Sequence, residues 1–236
     1  MQQHYNTDQM ILSSVGNIDF KKLVRYAEKH LNHVPRNNRK HKRLGINGYE
    51  ARELVVKKDI LQAHCIIGNR AYSANNKKAQ TLILLNNLLG GPGMNSRLNL
   101  GIREKYGFTY TIESNYTTYQ DTGVWSIYFG TEPQSVKKTI KLIYKELKKL
   151  REVKLGPQQL KKAKQQLMGQ LAIAQENNCN LMQTIAKSYQ AFNKVESIEE
   201  MNQKILAISA EEIQEVAREI FKEDQLSSII YEPKEA

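Results

Sequence analysis

Cysteine is scarce in this chain: its 236 residues include only Cys65 and Cys179. Two thiols so far apart cannot form a disulfide scaffold, and neither has metal-ligand spacing to the other. Cys65 reads as a buried thiol in an apolar run and Cys179 as a thiol on a helix surface. Neither decides the compartment, for which cytoplasmic is the expectation. No stretch approaches the roughly 20 apolar residues of a membrane helix, and MQQHYNTDQM lacks the pattern of a secretion signal, so no membrane partner is expected. Acidic residues are also short, 24 against 35 Lys and Arg, for a net charge of +11. Much of that excess lies in residues 137–164, where Lys137, Lys138, Lys141, Lys145, Lys148, Lys149, Arg151, Lys154, Lys161, Lys162 and Lys164 face only Glu146 and Glu152. Ile140, Ile143, Tyr144, Leu147 and Leu150 recur there at helical spacing, which puts the lysines on an outward face. Such a face can meet nucleic acid, an anionic membrane or an acidic partner. No RNA-recognition aromatic motif, zinc finger or helix-turn-helix pattern is present, so a solvated or acid-facing surface is expected and nucleic acid is not.

Histidine offers little more. The chain has His4, His30, His33, His41 and His64. Only His30 and His33 are close, and a zinc site needs at least a third converging protein ligand. There is no His-Glu-x-x-His and no His-x-x-Glu-His. Serine nucleophile elbows, phosphate-binding glycine loops and catalytic cysteine signatures are missing too. Taken alone, the chain is expected to hold no catalytic centre and to bind no metal.

What is present is ordered structure. Gln9–Val15 reads as a strand, and Asp19 as the cap of a helix carrying Leu23, Val24, Ala27 and Leu31. Pro35–Gly48 is polar, rich in breakers, and reads as a linker. A lone strand and helix before a linker cannot bury their own faces, so residues 1–44 are expected to belong to a domain whose remainder lies elsewhere. Residues 45–236 are expected to form a second domain. Its strands are read at Leu54–Lys58, Gln62–Asn69, Phe108–Thr117, Val124–Gly130 and Leu226–Tyr231. Ala63, Cys65 and Ile67 share one face of the second of these. Helices are read at Ala74–Leu89 and at about Asn95 to Tyr106, stopped by Gly90-Gly91-Pro92-Gly93 and by Gly107. Pro133 and Pro157 fit first helical turns, and Ser197-x-x-Glu200 and Ser209-x-x-Glu212 are capping boxes. Early strands joined by hairpins, then late helices, predict an α+β fold with an antiparallel-rich mixed sheet covered by helices.

The most specific stretch runs from Gly90 to Tyr116, and the signature it carries begins one residue earlier, at Leu89. It contains Leu89-Gly90-Gly91-x-Gly93-Met94-x-Ser96-Arg97-Leu98, then Ile102-Arg103-Glu104-Lys105-x-Gly107, then Tyr110 at the start of a strand. This resembles the signature of the C-terminal half of the pitrilysin/insulinase family of zinc metallopeptidases, which includes mitochondrial processing peptidase, and the likeness extends over nearly the whole chain. The resemblance implies the second domain of a processing-peptidase-type metallohydrolase, closing over a peptide substrate against a zinc-bearing N-terminal half. That half would be part of the same polypeptide or a partner chain. Zinc would be the cofactor of the complete enzyme, none of it held by this chain. It also implies that Arg103 and Tyr110 contact the peptide near the scissile bond. Read without the family, Arg103 fits a surface helix residue paired to Glu104 or Glu113, and Tyr110 a packed tyrosine sharing a face with Phe108, Ile112 and Tyr116. Ser96 and Arg97 fit helix start and packing. The alternative function is a non-catalytic partner subunit of a heteromeric peptidase complex, since the family contains chains without the zinc motif. A homodimer is a further arrangement the sequence leaves open.

Overall fold

A computed structural model describes residues 5–38, 45–46 and 48–234. His4, His41 and part of the expected linker lie outside the described residues. The chain divides into two compact units, one of Met1–Leu44 with Gly169–Met201, the other of Gly45–Met168 with Asn202–Ala236.

In the first unit, α1 (Phe20–Leu31) begins as expected: the Asp19 side chain accepts from the Lys22 amide, filling one of the donors a helix start leaves open. The strand expected at Gln9–Val15 is absent. Thr7–Gln9 is a 3-10 turn, and residues 10–15 have no regular structure. A strand needs a ladder partner, and the described residues of this unit form no sheet. The segment is held instead by isolated bonds: Ser13 donates to the Met182 carbonyl at 2.9 Å, and Gln190 to the Gln9 carbonyl at 3.2 Å. Met182 and Gln190 lie on α5 (Asn178–Phe192). No residue of α1 or α5 is buried.

The second unit is built on a five-stranded sheet. Its strands are β1 (Glu53–Lys58), β2 (Ala63–Ala71), β3 (Thr109–Thr118), β4 (Gly123–Thr131) and β5 (Ser227–Pro233), in the order β1-β5-β2-β4-β3. Only β1 and β5 run parallel, so the expected antiparallel-rich mixed sheet is the one observed. Alternation fixes its faces. Ala63, Cys65, Ile67, Asn69 and Ala71 of β2 are buried, while Ile66 and Arg70 are exposed. The buried face carries Trp125, Ile127, Phe129, Ile112 and Ile230 from its neighbours.

Three helices supply most of the rest of this core: α2 (Ala79–Gly90), α3 (Val136–Glu152) and α7 (Ala210–Ile220). Leu82, Leu84, Leu85 and Leu89 of α2 have no exposed surface, nor has Ile143 of α3 or Ala217 of α7. Each fully buried leucine or isoleucine is worth about 1.5–3 kcal/mol of transfer free energy. Trp125 and Phe221 meet with ring centroids 4.5 Å apart, and the indole donates to Ser114 Oγ at 2.9 Å. The helix read from Ala74 starts only at Ala79. The Ala74 amide donates to Tyr119, and the Asn76 side chain accepts from the Lys78 amide, so local bonds compete with a helical turn there. Pro133–Ser135 is a 3-10 turn before α3, whereas Pro157 opens α4 (Pro157–Glu176) as read. The capping box at Ser209 and Glu212 opens α7, and that at Ser197 and Glu200 opens α6 (Ile198–Ala207).

Candidate substrate-contact site

The glycine-rich stretch forms the passage from α2 to β3, and its glycines have separate reasons. Gly90 ends α2 against β3: a Cβ there would lie 2.6 Å from the Ser114 backbone nitrogen. The approach is fastened by Asn86, which accepts from Ser114 Oγ at 2.5 Å and donates to the Ser114 carbonyl at 3.0 Å. Asn95 then exchanges two hydrogen bonds with Gln166 of α4, at 2.9 and 3.1 Å. Ser96 is buried and accepts from Asn99 Nδ2. Arg97 pairs with Glu146 of α3 at 2.5 Å, both side chains largely covered. These bonds give Ser96 and Arg97 the packing role read from sequence.

Residues 97–106 are helical, but Asn99–Glu104 forms a π-helical turn. Such turns insert an extra residue into an α-helix and recur at functional sites. Leu98 and Ile102 anchor the segment in the core, 0 % and 2 % exposed. Arg103 leaves that buried face, and its side chain is 38 % exposed. Its ion-pair partner is Glu104 at 3.8 Å, beyond hydrogen-bond range, so the guanidinium retains donors for a ligand. The Arg103 carbonyl accepts from the Gly107 amide at 2.9 Å, and Gly107 turns the chain with φ +65°, a conformation that favours glycine.

Beyond Gly107 the strand breaks its own alternation. Thr109 pairs with Thr131 and Thr111 with Gly130, so two residues of β3 pass one of β4 and Tyr110 is the extra one in a β-bulge. Tyr110 is 69 % exposed while Ile112 is 3 % exposed. The reading of Tyr110 as a packed tyrosine sharing a face with Ile112 is therefore corrected, because the bulge shifts the period before Ile112 enters the core. Tyr106 and Phe108 stack at 5.5 Å beside this site, with Lys105 Nζ 5.4 Å from the Tyr106 ring. Neither the π-helical turn nor the bulge belongs to the regular pattern expected from the sequence. The one sign of the first in the sequence is Gly101, a glycine inside a helical pattern.

No metal fits the described residues: no three His, Cys, Asp or Glu side chains converge there. His64 is engaged with Tyr128, its Nδ1 at 2.9 Å from the phenol oxygen. No described helix is long and apolar enough to cross a membrane. Burial pushes the Tyr116 phenol up to about 12, and Tyr116 is occupied in donating to the Tyr72 carbonyl at 2.7 Å.

Comparison with known proteins agrees with this architecture. Residues 1–167 match the family model described as the peptidase M16 inactive domain. An uncharacterized zinc protease of Rickettsia felis is 33 % identical over 236 residues, covering 97 % of this chain and 55 % of that protein. The uncharacterized zinc protease YmxG of Bacillus subtilis is 28 % identical, covering 98 % and 56 %. The chain thus spans about half the length of the curated relatives it matches. Among solved structures, a peptidase M16 inactive domain from Pseudomonas fluorescens superposes with a TM-score of 0.82 at 19 % identity, covering 94 % of this chain and 53 % of that one. A protease from Helicobacter pylori gives 0.79 at 22 % identity, covering 93 % and 54 %. With the motif, the sheet and the family match in agreement, the chain belongs to the peptidase M16 family of zinc proteases as its C-terminal, inactive domain.

Proposed function

We propose that this chain is the substrate-handling half of a zinc metalloendopeptidase, in which Arg103 and Tyr110 hold the peptide near the bond to be cut. The observation that carries the reading is the bulge that leaves Tyr110 without a partner in the β3–β4 ladder, seven residues after an Arg103 that no described carboxylate fully engages. A structural arginine and tyrosine would be paired or packed. Attack on an amide carbonyl builds negative charge on its oxygen, and a guanidinium or a phenol can donate to that oxygen or to a neighbouring peptide carbonyl. Zinc of the complete enzyme belongs, in this reading, to residues of an N-terminal half. The exposed Phe20, Val24 and Leu31 of α1 support such a half, as apolar surface waiting for a partner.

The test is kinetic, in the full protein that contains this chain. Arg103→Ala is expected to lower kcat about 100-fold with a smaller rise in KM, as when a transition-state donor is lost. Tyr110→Phe removes one neutral donor and is expected to cost up to about tenfold, less than Arg103→Ala. Wild-type kcat in Arg103→Ala would refute the assignment.

A further inference from the structure

The first half of α3 is electrostatically arranged against its own stability. Helix N-termini favour acids and disfavour cations, yet the first turn of α3 carries no acidic residue and contains Lys137 and Lys138. Like charges four residues apart repel, yet Lys137, Lys141 and Lys145 follow one another at that spacing. All four lysines are exposed. The next basic residues, as far as Lys154, are compensated: Lys149 by Glu146 at 3.2 Å, Lys148 by Glu152 at 3.8 Å, Arg151 by Glu223 at 3.3 Å and Lys154 by Glu211 at 2.7 Å. Lys137, Lys138, Lys141 and Lys145 have no ion pair among the described residues. The opposite face is spent on the core, with Val136, Thr139, Ile143, Leu147 and Leu150 buried. No described residue of the second unit pairs with this row of charge.

We propose that the Lys137–Lys141–Lys145 row is a docking surface for an acidic polypeptide segment of another protein. The row is a line rather than a plane, with charges about 6 Å apart along the helix axis. Carboxylates at four-residue steps on a helix, or at alternate positions of an extended segment, repeat at a similar interval. Membrane docking is disfavoured, because the apolar face of α3 is already buried and has nothing to insert. Nucleic acid is disfavoured as well. The row contains no arginine for bidentate base or phosphate contacts, and Tyr144, the aromatic residue of α3, is half-buried and unavailable as a stacking platform.

The experiment measures binding of fluorescein-labelled decaglutamate to the chain by anisotropy in 50 mM NaCl. The variant Lys137→Glu/Lys141→Glu/Lys145→Glu is compared with the charge-matched control Lys21→Glu/Lys29→Glu/Lys187→Glu. Binding is expected to weaken at least tenfold in the row variant and less than threefold in the control. Equal losses in the two variants, or no binding by the wild type, would overturn the proposal. So would tighter binding of phosphatidylserine vesicles or of a thymidine 20-mer that disappears in the row variant. Lys137→Glu alone is expected to leave Tm unchanged or raise it. A lower Tm would mean the lysine stabilises the helix, and the argument from unfavourable charge would fall.

Discussion

Cys65 has no exposed surface, and burial, helped by the nearby charge of Glu232, pushes its thiol up to about 12 from an ordinary value of 9.0. The thiolate is the reactive form, so the native chain is expected to be labelled by iodoacetamide at pH 8 only at exposed Cys179, with Cys65 reacting after denaturation. Mass spectrometry of the labelled peptides checks this. A raised folded value means that Cys65 contributes stability below pH 9 that is lost as pH climbs towards 12. Two glycines give opposite expectations from the same substitution. Gly101 has open space around its missing Cβ, so Gly101→Ala should stabilise by up to about 1 kcal/mol through helix propensity. Gly90→Ala would press a methyl group against the Ser114 backbone and should cost about 1–3 kcal/mol. Thermal unfolding of the two variants distinguishes them by the direction in which Tm moves.

At the level of elements, the piece most exposed to a single change is the helical stretch 97–106. It is tied to α3 by Arg97 and Glu146, a partly covered pair. Glu146→Ala would leave a poorly solvated guanidinium without its partner, expected to cost about 1–3 kcal/mol, measurable by urea unfolding. If the site reading holds, the full protein should lose activity as well. The strands of the second unit were legible because alternation is a strong signal in β2 and β4, and α7 because its capping box precedes a clear apolar period. The motif from Leu89 to Tyr110 was legible as a family signature. Its decisive geometry was not. A π-helical turn and a bulge each arise from inserting one residue into an otherwise regular pattern, and the insertion is decided by what lies opposite. For Tyr110 that is the register of Thr131 and Gly130 on β4. The strand read at Gln9–Val15 failed for a related reason, since apolar residues specify a strand only when a neighbouring strand is there to pair with it.

For the whole molecule, the expectation on metal is direct. This chain on its own should retain no stoichiometric zinc after dialysis, as measured by atomic emission, because its described residues offer no three converging ligands; stoichiometric retention would contradict it. The strand order has a different kind of consequence. β5 follows every other strand in the chain, yet it lies between β1 and β2 and pairs with both. During synthesis, β1 and β2 must therefore wait with open edges while everything from α2 to α7 is made. At roughly 5–20 residues per second that wait is on the order of ten seconds. Open edges recruit strands from other molecules. The nascent protein passes through an interval in which the middle of its sheet is open to strands of other chains.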